Sequence, residues 1–171
     1  TLQNGTPYFL TANHCMDVQA TAGTVEAFWD YIATGCPGSV PSLEDLPRSI
    51  GSTLLATSTV SDFSLLRLTS LPPGRAFLGW TSNTAATVNG TIFPRLHHPL
   101  GAPMAYSEST AWTPPTTCPG LGTANFVYSD PAPDLGKGAT FGGSSGSSLF
   151  LSNGQVVGQL GGGCGPQADE P

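Results

Sequence analysis

Apolar residues in this chain come in short runs closed off by turn residues, and that rhythm restricts the fold more than any other feature. The turn signal Asn4-Gly5-Thr6-Pro7 leads into Tyr8-Phe9-Leu10-Thr11-Ala12, which reads as a short buried strand ending at Asn13-His14-Cys15. Thr53 to Ser58 and Phe63 to Leu68 read as two more strands, with Asp62 just before the second. Further along, the expected strands are Thr87 to Phe93, Met104 to Trp112, Asn125 to Tyr128 and Leu149 to Leu160. The last is a hairpin folded at Asn153-Gly154, a pair that tolerates the left-handed backbone of a tight turn. Val25 to Ala33 fits two patterns: Val25, Phe28, Trp29 and Ile32 have helical spacing, whereas Val25, Ala27, Trp29 and Tyr31 lie on one face of a strand. Cys36 to Ser52, rich in Pro and Gly, reads as a loop. Regularly spaced short strands without a convincing helix predict an all-β sandwich or barrel. Leu71-Pro72-Pro73-Gly74-Arg75 marks a crossing between two halves, residues 1–75 and 76–171.

Composition points the same way and removes several functions. Only 9% of the 171 residues are charged, while 22 are Gly and 16 are Pro, a balance suited to turns rather than helices. The five basic residues (Arg48, Arg67, Arg75, Arg95, Lys137) are scattered and the net charge is −6, which argues against nucleic acid as a partner. No window approaches eighteen apolar residues, so no membrane span is expected. Four cysteines without a Cys-x-x-Cys pair give no zinc pattern, and no metal or organic cofactor is implied. The low charge and scarce lysine favour an oxidising, extracytoplasmic setting.

Chemistry concentrates in Phe141-Gly142-Gly143-Ser144-Ser145-Gly146-Ser147-Ser148-Leu149. Small residues ahead of an apolar run describe a tight loop whose backbone N–H groups can be aimed at an anion. A serine there becomes a nucleophile only with a base and a group that orients the base. His14 after one strand and Asp62 before another supply them, in the chain order His, Asp, Ser. Gly142-Gly143-Ser144-Ser145-Gly146 also fits Gly-x-Ser-x-Gly, but all three histidines (His14, His97, His98) precede the serines, which excludes the α/β-hydrolase order.

Phe9-Leu10-Thr11-Ala12-Asn13-His14-Cys15, Ser61-Asp62-Phe63-Ser64-Leu65-Leu66 and Gly143-Ser144-Ser145-Gly146-Ser147 resemble the histidine, aspartate and serine motifs of chymotrypsin-fold (trypsin-like) serine proteases. Ala76-Phe77-Leu78-Gly79-Trp80, Leu96-His97-His98-Pro99 and Val156-Val157-Gly158-Gln159-Leu160 resemble the bacterial secreted branch that includes lysyl endopeptidases. The resemblance implies two six-stranded antiparallel β-barrels, one in each half, with strands missing at both ends of this chain. It implies a secreted serine endopeptidase, expected to be a monomer, whose partner is a polypeptide substrate. Ser145 would be the nucleophile, His14 the base, Asp62 its orienting group, and the N–H groups of Gly143 and Ser145 the oxyanion hole. Gly161 and Gly162 would pair with the substrate backbone, and His97 and His98 would be structural. In the lysyl branch an Asp binds the substrate lysine, and Asp169 lies near that region in a different local sequence. The cysteines matching Cys15 and Cys36 pair with upstream cysteines in that branch; within this chain, a Cys15–Cys36 bond would close a loop of about twenty residues. A catalytically silent homologue acting as a binding module is the competing expectation.

Overall fold

The computed structural model describes residues 5–113, 118, 122, 124–131 and 138–164. It is mostly β with little helix, built from four small antiparallel sheets, none of them closed among the described residues. The first sheet has the order β1-β5-β4, from Tyr8–Ala12, Phe63–Leu68 and Ser52–Ser58. Alternation along β5 turns Ser64, Leu66 and Leu68 inward. Leu66 and Leu68 join Ala22 and Val25 in a core against which Met16, Ala27, Trp29, Leu54 and Leu71 pack. Ser64 can be buried because its hydroxyl is bonded to Thr57 Oγ1 at 2.7 Å and to the Met16 carbonyl.

The ambiguous stretch after Val25 is a strand. Residues Glu26–Phe28 (β2) pair with Arg48–Ile50 (β3), and Val25, Ala27 and Trp29 share the core side, as the strand-face pattern requires. The expected loop from Cys36 to Ser52 therefore contains a strand and a 3-10 turn at Leu43–Asp45. Cross-strand side chains stabilise this short pair: Arg48 binds Glu26 at 2.8 Å, and Trp29 Nε1 donates to Ser49 Oγ at 2.9 Å. A four-residue helix, Gln19–Ala22 (α1), also lay below sequence periodicity. It is pinned by Gln19, which donates to the Ser52 carbonyl at 3.0 Å and accepts from Leu54 N at 2.8 Å.

In the second half, Ile92–His97 (β6), Ala105–Ala111 (β7) and Ser129–Pro131 (β8) form a sheet in that order. Strand β6 starts later than the expected Thr87 to Phe93, because Asn89-Gly90 turns the chain with Gly90 at φ 87°. It runs through Pro94, which an edge strand tolerates since no ladder donor is needed on its open side. The expected strand at Asn125 to Tyr128 moves to β8, where Thr110 faces Asp130. The Asn153-Gly154 hairpin forms as expected between Ser148–Phe150 (β9) and Val156–Gln159 (β10). Phe93, Ala111 and Leu149 make a second core with Leu151 and Val157.

The chain between the halves is fastened on both sides. Arg75 grips Asp30 through two 2.7 Å bonds and lies 5.2 Å from the Trp29 ring centre, while Val156 N donates to the Gly79 carbonyl at 2.7 Å. Cys118 and Cys164 form a disulfide, with Cα atoms 5.7 Å apart. Cys15 and Cys36 are free and exposed, which corrects the bond considered between them. No helix among the described residues is long and apolar enough to cross a membrane.

Candidate active site

The Gly/Ser stretch folds into two consecutive turns that share Ser144. Ser144 N donates to the Phe141 carbonyl at 3.0 Å, and Ser147 N donates to the Ser144 carbonyl at 3.1 Å. The third residue of each turn is a glycine in the left-handed region, Gly143 at φ 84° and Gly146 at φ 79°, which is why glycines stand there. Ser145 is carried at the second position of the second turn, half-buried. Its hydroxyl makes no hydrogen bond with another described residue, and neither the Gly143 nor the Ser145 N–H is bonded within the described residues.

Beneath the turns lies a histidine that sequence reasoning placed as structural. Buried His97 meets Ser144 Oγ at 2.7 Å through Nδ1, and Phe141 N donates to the same hydroxyl at 3.3 Å. Burial first, then the charges of Arg95 and His98, hold the His97 pKa below its ordinary value, so the ring is neutral where it supports the loop. His98 points elsewhere: its Nδ1 donates to the Ala102 carbonyl at 3.0 Å, and its ring stacks on Tyr31 with centres 5.9 Å apart.

His14 and Asp62 come together as the sequence suggests. One carboxylate oxygen of Asp62 accepts the His14 backbone N–H at 2.9 Å, and the other lies 2.8 Å from His14 Nδ1. An ionised carboxylate can only accept, so Nδ1 carries the proton and Nε2 keeps a free lone pair. Asp62 reaches this position from a left-handed backbone, φ 48°, in the turn before β5. Its own carbonyl accepts from Asn13 N at 3.0 Å and from Gln159 Nε2 at 2.6 Å. Gln159 lies in a stretch that carries the family resemblance, but nothing in the sequence pointed to this contact, which ties the second half to the aspartate.

Further contacts bring the serine loop to the same place. Gly146 N donates to the Leu160 carbonyl at 2.8 Å, and Leu160 N returns a bond to Ser147 at 2.9 Å. A side chain at Gly146 would stand 2.9 Å from Ala12 N and press on Thr11, so the turn sits directly on the strand end that delivers His14. One at Gly161 would stand 3.1 Å from Asp62 Oδ2, whereas Gly162 and Gly163 have open space around them. A cleft of about 1170 Å³ runs alongside, with His14, Asp62, Gly161 and Gly162 on its wall; Gly143 and Ser145 are not part of that wall. Asp169 lies outside the described residues. Among the described residues no cluster of His, Cys, Asp and Glu has the makings of a metal site.

A charge-oriented histidine, two unbonded backbone donors and a serine at a turn apex are the parts used for acyl transfer. The family described as lysyl endopeptidase, C-terminal domain, matches residues 1–169. Lysyl endopeptidase of Pseudomonas aeruginosa is 32% identical over 158 residues, covering 91% of this chain and 32% of that protein. The chain thus spans about a third of the length of that curated relative. Among solved structures, the HtrA-type protease AlgW with a decapeptide superposes with a TM-score of 0.58 at 20% identity, over 91% of this chain and 40% of that one, a likeness of fold. Matched nearly end to end, the chain belongs to the lysyl endopeptidase C-terminal domain family of trypsin-like serine proteases.

Proposed function

We propose that this chain carries the catalytic machinery of a serine endopeptidase that cleaves polypeptides outside the cytoplasm. The observation that carries the reading is the 2.8 Å bond between His14 Nδ1 and Asp62, which leaves Nε2 as a base within the region where the Ser145 turn meets the end of β1. Ser145 Oγ attacks the scissile carbonyl while His14 Nε2 takes its proton. The acyl-enzyme forms as His14 passes that proton to the leaving amine, and water then releases the acyl group by the same route. Asp62 stabilises the transient imidazolium. The N–H groups of Gly143 and Ser145 bind the oxyanion, where each donor lowers the barrier by about 3–4 kcal/mol. Gly161 and Gly162 leave room for a substrate backbone to lie along the cleft. The two cores, one from residues up to Leu71 and the other from Phe93 onward, support a division into an N-terminal barrel over 1–75 and a C-terminal barrel over 76–171.

A second reading, a non-catalytic binding module on this fold, draws support from the absence of a hydrogen bond from Ser145 Oγ to His14 among the described residues. Such bonds often tighten only when substrate binds. Casein hydrolysis separates the two: the native full-length protein is expected to cleave it and its His14→Ala form to lose at least about a thousandfold in rate. Equal, background-level rates for both forms would favour the binding module.

A further inference from the structure

The turn over residues 141–144 rests on a hook of chain that follows β6. Leu100 N donates to the Gly142 carbonyl at 2.7 Å. A Cβ on Gly143 would stand 3.2 Å from the His98 carbonyl oxygen and 3.3 Å from Leu100 N, so turn and hook are in close contact. The hook is closed on itself: Gly101 N donates to the His98 carbonyl at 3.2 Å, and Ala102 N to the Pro99 carbonyl at 2.9 Å. The first half of the chain clamps it, because Tyr31 stacks on the His98 ring and its carbonyl accepts from Met104 N at 2.9 Å. At the tip, Leu100 takes a left-handed backbone, φ 54° and ψ 25°, which is costly for a residue with a Cβ. Its side chain is 66% exposed, so burial of the leucine does not account for that strain. What the conformation does is present the Leu100 N–H to Gly142.

A four-residue turn closed by Ser144 N on the Phe141 carbonyl can hold its central peptide in either of two orientations. Of the two central residues only Gly143 has a positive φ, 84°, which marks the type II form. Flipping the Gly142–Gly143 peptide gives the type I form and leaves the closing bond intact. Glycine at both central positions permits either, so local preference does not choose between them. The bond from Leu100 does. That peptide is trans, so its C=O and N–H point in opposite directions: the Gly142 carbonyl faces the hook and the Gly143 N–H faces away from it. After a flip, the Gly143 N–H would meet the Leu100 N–H, donor against donor, and a carbonyl oxygen would stand where the N–H stood. We infer that Leu100 is a positioning residue whose backbone N–H holds the Gly143 N–H ready for the oxyanion. The inference rests on the serine endopeptidase reading. Loss of the anchor admits the flipped form, in which a carbonyl oxygen repels the developing negative charge. Substrate binding along Gly161 and Gly162 does not use this peptide, so turnover falls while KM holds.

The test replaces the Leu100 amide by an ester, through incorporation of leucic acid at that position of the full-length protein, which deletes the N–H and keeps the side chain. Hydrolysis of a fluorogenic peptide that the native protein cleaves is then followed well below the melting temperature of each form. For the ester protein, kcat is expected to fall by at least about tenfold, and by no more than the hundred- to thousandfold or so that loss of the donor itself would cause, with KM within about twofold of native. Leu100→Gly keeps the N–H and adopts the left-handed backbone readily, so its kcat should stay within about twofold of native. Leu100→Val, whose β-branched side chain resists that backbone, should lose at least about threefold in kcat with KM unchanged. Should the ester protein fail to fold, the contrast between Leu100→Val and Leu100→Gly decides the matter. Native kcat in a folded ester protein or in Leu100→Val, or a loss shared between kcat and KM, would overturn the inference and leave the endopeptidase reading standing. Absence of hydrolysis and of fluorophosphonate labelling in the native protein would overturn both.

Discussion

Exchanging Asp62 for Asn keeps the shape of the side chain while reversing half of its hydrogen bonding. Asp62 accepts twice from His14, from the backbone N–H at 2.9 Å and from Nδ1 at 2.8 Å. Asn has a single acceptor oxygen, and the backbone N–H can only donate. The amide oxygen therefore goes to the backbone and the NH₂ faces Nδ1, moving the ring proton to Nε2, where His14 can no longer accept from a serine. Recovering the productive tautomer sets donor against donor and forfeits about 1–2 kcal/mol. The lost carboxylate charge removes a further 1–4 kcal/mol or so from the imidazolium at roughly 4 Å, toward the lower end because the ring faces water. The His14 side chain is 47% exposed. At 1.36 kcal/mol per factor of ten, these terms give a loss of about two to four orders of magnitude in kcat/KM. The assay is hydrolysis of a fluorogenic peptide by the native and Asp62→Asn full-length proteins, with circular dichroism to show that both are folded. A folded Asp62→Asn protein within tenfold of native activity would refute the tautomer argument.

Three other expectations follow from individual contacts. Gly146→Ala places a Cβ 2.9 Å from Ala12 N at a φ of 79°, so thermal melting should fall by at least about 4 °C, and an unchanged Tm would show that the turn does not rest on β1. His97 has a pKa lowered on folding, so its contribution is complete above the unfolded value of 6.5 and is lost as pH falls through the lower folded value. His97→Gln should accordingly flatten the drop in urea midpoint between pH 7 and pH 5, whereas parallel curves would contradict the assignment. Removing the Cys118–Cys164 bond, which spans 46 residues, should cost about 4 kcal/mol on the chain-entropy model, read from urea unfolding of the double Cys→Ala protein.

Much of the geometry around His14 and Asp62 was legible because these residues sit where strands end and begin. Tyr8–Ala12 and Phe63–Leu68 were recognised with correct bounds, and these two strands pair so that His14 and Asp62 meet. The Asn153-Gly154 hairpin was readable for the same reason, since its turn chemistry is local. Three-residue strands such as Arg48–Ile50 are too short to show a period and depend on partners distant in sequence, here Glu26–Phe28. The shift of β6 past Pro94 depended on its being an edge strand, a property of the sheet and not of the segment. Likewise, Gln159 acquires its role only through what surrounds it, by reaching the Asp62 carbonyl. His97 and His98 were expected to be structural, and their bonds to Ser144 and Ala102 fit that expectation.

Covalent labelling by a fluorophosphonate at neutral pH addresses the central proposal most directly, because the probe reacts only with a serine whose proton has somewhere to go. The full-length protein is expected to gain one adduct, mapped by peptide mass to Ser145 and absent from both Ser145→Ala and His14→Ala. An adduct on another residue, or none on a protein shown to be folded, would contradict the assignment of His14, Asp62 and Ser145 as a catalytic unit.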